Sequence, residues 1–331
     1  MDKSLDGRFQ GALLSMPTFN DETFHLQLDR QRIHINWLID NGIVEGQGVL
    51  IIAGGMGEGY FLEPSEWETL ADLLVSEARG RIPTGIGVKE LSARRAAYKA
   101  KYAANAGLDC IQVSPPHYLL PTEEEIFQHF KYINDAAAIP IIAYNTPWAM
   151  PHPGYEFSET LLSRFSDLEN LVAIKWSTQD YRHCMKMIRL FKDRFTFLDN
   201  NRILSHGGRV GSRGFTDFFG NVAPRLSLRK WELYREERFD ELDELELAIE
   251  FDPAAQASSR PDLSAATILS SMGEGPAARL ILNALGMDSG PPFPAQVRQT
   301  EDAVKAYRKM MEESGFMDWV DWNQSIFEGI G

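Results

Sequence analysis

The stretch Leu171-Val172-Ala173-Ile174-Lys175-Trp176-Ser177 is a short apolar run that contains a single lysine. A run of this length and composition is typical of a buried strand in a parallel sheet. A lysine rarely enters a core without a partner or a chemical task, and burial lowers its pKa so that a nucleophilic neutral amine becomes available. The run therefore predicts a core strand. On this strand alone, Lys175 is either an imine-forming nucleophile or a lysine that reaches solvent or pairs with a carboxylate.

Similar short runs recur along the chain and alternate with longer amphipathic segments. The helical segments have plausible starts at Ser65, Ser92 and Thr122, where a hydroxyl residue precedes acidic or helix-forming residues. Eight strand-helix units in this length of chain predict an α/β protein of the (β/α)8 TIM-barrel class, which typically needs roughly 250 residues. The predicted strands span residues 11–15, 48–53, 83–88, 109–114, 140–145, 171–177, 195–200 and 213–219.

An open doubly wound sheet is the competing architecture. Its dinucleotide-binding motif is not fulfilled after the second strand, where Gly55-Met56-Gly57-Glu58-Gly59-Tyr60 has a tyrosine in place of the third small residue. A second near-match at residues 273–278 follows a helical stretch and leads to no further strand. We interpret the first as a turn and the second as a helix boundary.

The strand signals stop after residue 222. Two charged amphipathic runs, at residues 231–251 and 296–313, predict helices, and the Gly/Pro-rich residues 288–294 predict a rigid connector before the second. We therefore predict a barrel over residues 1–222 and C-terminal helices over 223–331 that pack on it.

The composition is that of an acidic protein with enough hydrophobic residues to form its own core. The 331 residues are 44% hydrophobic, and 47 acidic against 33 basic residues give a net charge of −14, which disfavours nucleic acid and anionic membranes as partners. The two cysteines, Cys110 and Cys184, have no metal-ligand spacing to the seven histidines, so no metal is expected. The apolar runs are too short to cross a bilayer, and a cytoplasmic location is expected.

Residues at the carboxyl ends of barrel strands are the expected site of the chemistry. Tyr144 ends the fifth strand and Lys175 the sixth; neighbouring strands lie ~4.8 Å apart, which predicts that the two side chains meet. Imine formation needs an amine, a proton shuttle and donors for a substrate carboxylate. Lys175, Tyr144 and the backbone amides of Gly54, Gly55, Met56 and Gly57 could supply them, although each also has a purely structural interpretation. Ser177, Asn200 and Asn201 are candidates for recognising substrate hydroxyls, and Glu58 for capping the turn.

These motifs resemble those of the dihydrodipicolinate synthase/N-acetylneuraminate lyase family. Tyr144-Asn145-Thr146-Pro147 is similar to its YNxP motif, Val172-Ala173-Ile174-Lys175 to its Schiff-base strand, and Gly54-Gly55-Met56-Gly57-Glu58 to its GTTGE turn. Pro116-His117-Tyr118 and Gly214-Phe215-Thr216-Asp217 resemble two further segments. The resemblance implies a metal-free and cofactor-free barrel enzyme that acts on pyruvate or another 2-keto acid through a lysine imine.

The same resemblance implies roles for individual residues. Lys175 would form the imine, Tyr144 would shuttle protons, and Tyr118 would reach the neighbouring site of a homo-oligomer, a tetramer or dimer. The turn 54–57, Ser177, Asn201 and Phe215 are the expected substrate-binding residues.

Three positions depart from the family pattern. Gly55 and Met56 replace its two threonines, and Ala149 replaces an arginine that holds a second substrate carboxylate, which an alanine cannot do. A different substrate, such as a 2-keto-3-deoxy sugar acid or an aromatic 2-keto acid, is therefore expected. Cleavage, condensation and dehydration stay open, as do two alternatives: a degenerate barrel that binds without turnover, and a metal-dependent aldolase.

Overall fold

Eight parallel strands close into a barrel in the order in which they occur in the chain. A computed structural model describes residues 7–150, 152, 154–201, 203–249 and 274–327. The predicted TIM barrel with a C-terminal helical extension is confirmed. The strands are β1 (Gly11–Ser15), β2 (Gly48–Ile52), β3 (Thr84–Val88), β4 (Cys110–Val113), β5 (Ile141–Asn145), β6 (Leu171–Trp176), β7 (Thr196–Asp199) and β8 (Gly214–Thr216).

A helix follows each strand, and three further helices complete the described chain. Short 3-10 turns lie at Phe219–Asn221, Phe316–Trp319 and Gln324–Phe327. None of the described helices is long and apolar enough to span a membrane. The helices are α1 (Leu28–Asp40), α2 (Pro64–Ala78), α3 (Ala93–Ala106), α4 (Glu123–Ala136), α5 (Glu159–Phe165), α6 (Tyr181–Phe191), α7 (Leu204–Gly208), α8 (Pro224–Arg235), α9 (Phe239–Ala248), α10 (Glu274–Ala284) and α11 (Glu301–Glu313).

Two sequence expectations about helices are corrected. The N-cap of α2 is Glu63 rather than Ser65, because Pro64 occupies the first helical position and Glu63 and Glu66 form a capping box. The run 231–251 is not one helix: the chain turns between α8 and α9, where Glu237 has a φ of +58°. Residues 250–273 and 328–331 of the predicted C-terminal part lie outside the described residues, and the division at residue 222 stays a prediction.

Side-chain alternation along the strands separates two cores. Leu13, Val49, Ile51 and Cys110 belong to a buried cluster inside the barrel, together with Ile142, Val172, Ala173 and Leu198. A larger cluster lies between the strands and the surrounding helices. Side chains two positions further along a strand point the same way, so three more residues face inward after Ile142, Ala173 and Leu198. They are Tyr144, Lys175 and Asn200.

The C-terminal helices form a third core over one end of the barrel. Residues of α10 and α11 pack with Phe19 and, at the edge, with Met56 of the turn after β2. A buried ion pair joins the same two parts of the molecule: Arg279 of α10 donates from Nε to Glu58 Oε2 at 2.7 Å. The Arg279 guanidinium also donates to the carbonyl oxygen of Ser289 and to the side-chain oxygen of Asn20. These contacts fix the start of α10 above the turn.

Candidate active site

Lys175 and Tyr144 lie side by side at the carboxyl ends of β6 and β5. The two residues are register partners in the sheet, and Lys175 Nζ lies 4.2 Å from the centre of the Tyr144 ring. Both side chains are buried. The strand alternation that fills the barrel with apolar residues thus places an amine and a phenol together at its rim.

Burial lowers the pKa of Lys175 to about 8. Glu274 opposes this shift by stabilising the ammonium form, and the positive charge of Lys89 adds to it. An amine with this pKa has a substantial neutral fraction near neutral pH, which is the form that attacks a carbonyl group.

The Tyr144 hydroxyl is the centre of a hydrogen-bond network. It donates to Glu274 Oε1 at 3.1 Å and accepts from Asn200 Nδ2 at 3.0 Å. The same amide nitrogen donates to the Ser177 hydroxyl. Burial raises the pKa of Tyr144 well above its usual value, and the negative charge of Glu274 raises it further. The phenol therefore keeps its proton and can pass it along the network.

Glu274 holds its negative charge in spite of burial. Burial favours the neutral acid, but Lys89 and Lys175 outweigh it, so the pKa of Glu274 lies below its usual value. Lys89 follows β3 and its Nζ lies 3.1 Å from Glu274 Oε2. One carboxylate thus connects the phenol on β5 with a lysine beyond β3.

Gly55 lies directly beneath this carboxylate. A Cβ atom at Gly55 would lie 1.3 Å from Glu274 Oε2 and 2.8 Å from Lys89 Nζ. Separations this short are impossible for non-bonded atoms, so Glu274 occupies the space that a side chain at position 55 would need. The Glu274 carboxylate can therefore lie at this position because Gly55 has no side chain.

A cavity of about 270 Å³ opens above the Glu274 carboxylate. Its lining is mixed, with aromatic rings, hydroxyl groups, a histidine and the Lys89–Glu274 pair. The lining residues are Tyr60, Lys89, Ser114, His117, Thr146, Trp148, Ala149 and Glu274.

A model of the dihydrodipicolinate synthetase family matches residues 8–249 of the chain, which is well over half of its length. The chain belongs to this family. A 4-hydroxy-tetrahydrodipicolinate synthase from Methylobacterium radiotolerans is 30% identical over 228 residues, which are 68% of this chain and 73% of that protein. One from Bradyrhizobium diazoefficiens is 33% identical over 199 residues, 58% of this chain and 63% of that protein.

Solved structures have the same fold as this chain. The dihydrodipicolinate synthase from Acinetobacter baumannii, complexed with pyruvate, has a TM-score of 0.80 at 20% identity and covers 93% of this chain and 99% of its own. CdNal from Clostridium difficile, in complex with mannosamine, has a TM-score of 0.75 at 18% identity and covers 94% and 99%. At these identities the likeness establishes the barrel and its helical extension.

The structure brings together some of the expected family residues at the site. Lys175, Tyr144, Ser177 and Gly55 surround or support the Glu274 carboxylate. The turn after β2 is held by hydrogen bonds from the amides of Glu58 and Gly59 to the carbonyls of Gly55 and Gly54, both at 3.1 Å. Within the described part of the chain, the amides of Gly55, Met56 and Gly57 have no acceptor. They are the free donors of this turn.

Other expected residues lie elsewhere. Asn201 accepts from the Thr178 amide and donates to Asp199, so its neighbour Asn200 is the asparagine that contacts Tyr144. Phe215 lies between the inward-facing Gly214 and Thr216, and its ring packs outward on Tyr234 at 5.6 Å. The Met56 side chain packs towards the C-terminal core.

Tyr118 lies apart from the network in the single chain. It follows β4, and 79% of its surface is exposed. Trp176, the residue after Lys175, is buried between strands and helices and donates from its indole nitrogen to Glu156, so it does not line the cavity.

Lys89 and Glu274 belong to this hydrogen-bonded group, and the sequence patterns did not predict either of them. Lys89 follows the third strand, so the rule that places chemistry at strand ends contained a signal for it. Glu274 lies in a different part of the chain, beyond the residues matched by the family model. Its only signal was indirect, in the missing side chain at Gly55.

Proposed function

We propose that this protein is a class I lyase that forms an imine between Lys175 and the carbonyl carbon of pyruvate or another 2-keto acid. The observation that carries the proposal is the buried Lys175, whose pKa is lowered to about 8, beside the Tyr144 phenol. Membership of the dihydrodipicolinate synthetase family supports an aldolase or dehydratase of this class.

The chemistry requires one amine and one proton shuttle. The neutral Lys175 amine attacks the carbonyl carbon, and a proton passes from nitrogen to oxygen to give a carbinolamine. Protonation of the hydroxyl then expels water and leaves an iminium ion on Lys175. Tyr144, whose ring centre lies 4.2 Å from Lys175 Nζ, would carry the protons. The iminium withdraws electrons from the neighbouring bond that breaks or forms, so the covalent imine supplies the electron sink and no external cofactor is required.

The turn after β2 would hold the substrate carboxylate. The amides of Gly55, Met56 and Gly57 are free within the described residues, and successive free amides form an anion-binding nest. Because Gly55 and Met56 carry no hydroxyl, the backbone alone would bind the carboxylate here.

The cavity favours a substrate without a second carboxylate. Ala149 lines it at the position where the synthases resembled in sequence carry arginine, and the charge of Lys89 is already paired with Glu274. Ser114, Thr146 and His117 offer hydroxyl-recognising groups beside Trp148. We propose a 2-keto-3-deoxy sugar acid as the substrate class, whose hydroxyls these groups would bind.

A homo-oligomer is part of the proposal. Leu119 and Leu120 next to Tyr118 are also exposed, which makes an apolar strip after β4 that a second copy of the chain could cover. Sedimentation velocity of the purified protein checks this: a dimer or tetramer supports it, and a monomer at micromolar concentration contradicts it.

A screen of 2-keto acids by borohydride trapping tests the function. The protein is incubated with pyruvate, with 2-keto-3-deoxy sugar acids and with an aromatic 2-keto acid, reduced, and weighed intact by mass spectrometry. At least one acid is expected to add covalently to the wild-type chain and not to Lys175→Ala. No adduct with any acid would contradict an imine enzyme, and turnover that survives in Lys175→Ala would do the same.

A further inference from the structure

We propose that Glu274 is the proton acceptor of the imine-forming site. Through Tyr144 it would relay protons in place of a hydroxyl side chain, which Gly55 lacks. This inference rests on the proposed function above and adds a component to its mechanism. Glu274 lies on a C-terminal helix beyond the residues that match the family model.

The contacts of Glu274 hold both of its oxygens in defined positions. Oε1 accepts the Tyr144 hydroxyl at 3.1 Å, and Oε2 pairs with Lys89 Nζ at 3.1 Å. A carboxylate fixed at both ends is positioned to accept a proton from a phenol, because little reorganisation is needed when the proton moves.

Helix α10, which carries Glu274, packs close to the turn after β2. A Cβ at Gly55 would collide with Glu274, and a Cβ at Gly275 would lie 2.2 Å from Glu58 Cγ. Two glycines therefore allow α10 to approach the turn after β2. The buried pair between Arg279 and Glu58 then holds the helix there.

The charges around Glu274 favour the ionised form, which is the form that can accept a proton, and they make the protonated form a ready donor. Lys89 and Lys175 stabilise its ionised form, and Glu274 in turn stabilises the ammonium form of Lys175. A proton that moves from Lys175 to Glu274 neutralises both groups together, and the remaining positive charge is that of Lys89 beside the cavity.

Lys175, Tyr144 and Glu274 can together carry the protons that move during imine formation. Lys175 in its ammonium form passes one proton through the Tyr144 oxygen to Glu274, and the neutral amine attacks the carbonyl carbon. One of the two protons on nitrogen then moves to the oxygen and gives the carbinolamine, and the other stays on nitrogen. Glu274 returns its proton through Tyr144 to the hydroxyl, water leaves, and the iminium remains. Glu274 ends as a carboxylate and Tyr144 is unchanged.

If Glu274 only blocked the site, its removal would speed imine formation, which is opposite to the effect expected from removal of a proton acceptor. Its carboxylate lines the cavity, whereas Lys175 and Tyr144 are buried and do not line it. Removal of a plug would speed imine formation, but removal of a proton acceptor would slow it. The sign of the rate change therefore separates the two roles.

The experiment measures the rate of imine formation with pyruvate, or with the acid that gives the most adduct, by quenching timed samples into borohydride. Glu274→Gln keeps the size of the side chain and removes its charge, and we expect it to form the adduct about a hundred-fold more slowly. Its Lys175 should also titrate at lower pH than in the wild type, because the negative charge that supports the ammonium form is gone. Added acetate should restore part of the rate in Glu274→Ala, where space for a small carboxylate is left.

Glu301→Gln is the matched control. Glu301 is likewise the first residue of a helix, α11, but its side chain is exposed and pairs with Lys305 at the surface. This variant should form the adduct at the wild-type rate. It separates the role of Glu274 from a general effect of an acidic residue at a helix start.

Gly55→Ala provides a second route to the same site. Its methyl group should displace the Glu274 carboxylate and slow the reaction as strongly as Glu274→Ala does. In the Glu274→Ala background the added methyl group should have little further effect. Circular dichroism of each variant identifies any that do not fold, in which case Glu274→Gln alone decides.

The outcomes distinguish this inference from the proposed function. If the wild type forms no adduct, the imine function itself fails. If the wild type forms the adduct and Glu274→Gln does so at an equal or higher rate, the imine function stands and the role of Glu274 is wrong. An unchanged Lys175 titration in Glu274→Gln, or additive losses from Gly55→Ala and Glu274→Ala, would also overturn it.

Discussion

The Tyr144 hydroxyl donates a 3.1 Å hydrogen bond to Glu274, a residue 130 positions later in the chain. This bond joins the fifth strand of the barrel to the first turn of α10. It makes the C-terminal extension part of the site and not only a cover for the barrel. The reactivity of the strand-end residues should therefore depend on a helix outside the barrel.

Tyr144→Phe should slow imine formation by about 10²- to 10⁴-fold, because it removes the hydroxyl that carries protons between the reacting atoms and Glu274. Quenching timed samples into borohydride measures the rate. Tyr155→Phe is the control, since Tyr155 also donates to a glutamate, Glu123 at 3.0 Å, but in another part of the protein. Equal rates for the two variants would remove Tyr144 from the mechanism.

The rate of imine formation at limiting keto acid should rise with pH and level off above about pH 8. This follows from the lowered pKa of Lys175, since only its neutral amine attacks and that fraction becomes complete above the pKa of about 8. The same timed quench at several pH values measures the profile. A rise that continues towards pH 10 would mean that the reacting amine is an ordinary exposed lysine.

Lys175→Met should stabilise the fold at neutral pH by roughly 2–4 kcal/mol. The pKa of Lys175 is lowered to about 8 from 10.5, so its burial penalty is fully present below about pH 8 and disappears as the pH rises towards 10.5. The gain in the free energy of unfolding, measured in urea, should accordingly be larger at pH 7 than at pH 10.

Lys99→Met is the matched control for this stability measurement. Lys99 is also buried, but its Nζ pairs with Glu90 at 2.7 Å, so its removal takes away the nearer of the two cations that pair with this carboxylate and leaves only Arg95 at 3.4 Å among the described residues. That variant should lose stability. If Lys175→Met were less stable than the wild type at pH 7, a net burial penalty on the Lys175 charge would be refuted.

Arg279→Met should cost roughly 3–5 kcal/mol of stability, because it leaves Glu58 buried without its partner. The Arg279 and Glu58 side chains are only 3% and 1% exposed. Arg298→Met, which breaks the surface pair with Glu22 at 58% and 77% exposure, should cost less than about 1 kcal/mol. Urea denaturation compares them, and similar losses would contradict a fixing role for the buried pair.

The strand pattern was sufficient to predict the barrel and the meeting of Tyr144 with Lys175. Both follow from local periodicity, because residues of neighbouring parallel strands at the same height share one face. The same periodicity also separates Asn200, which faces inward two positions after Leu198, from Asn201, which does not. It turns Phe215 away from the cavity in the same manner.

Glu274 could not be predicted in this way. Its place depends on how a distant helix packs on the barrel, which no local pattern encodes. The informative sign in the sequence was Gly55, because a missing side chain at a rim position leaves room that another residue can fill. Glycines at expected functional positions are therefore worth examining as space for a distant group.

Peptide mapping of the borohydride-reduced protein tests the central claim most directly. Two of the described lysines approach the Glu274 carboxylate: Lys175 is buried and its pKa is lowered to about 8, and Lys89 is paired with Glu274 at the cavity. After reduction with a trapped keto acid, the added mass should lie on the peptide that contains Lys175, with Lys89 unmodified. An adduct on Lys89, or none on either lysine, would contradict this account.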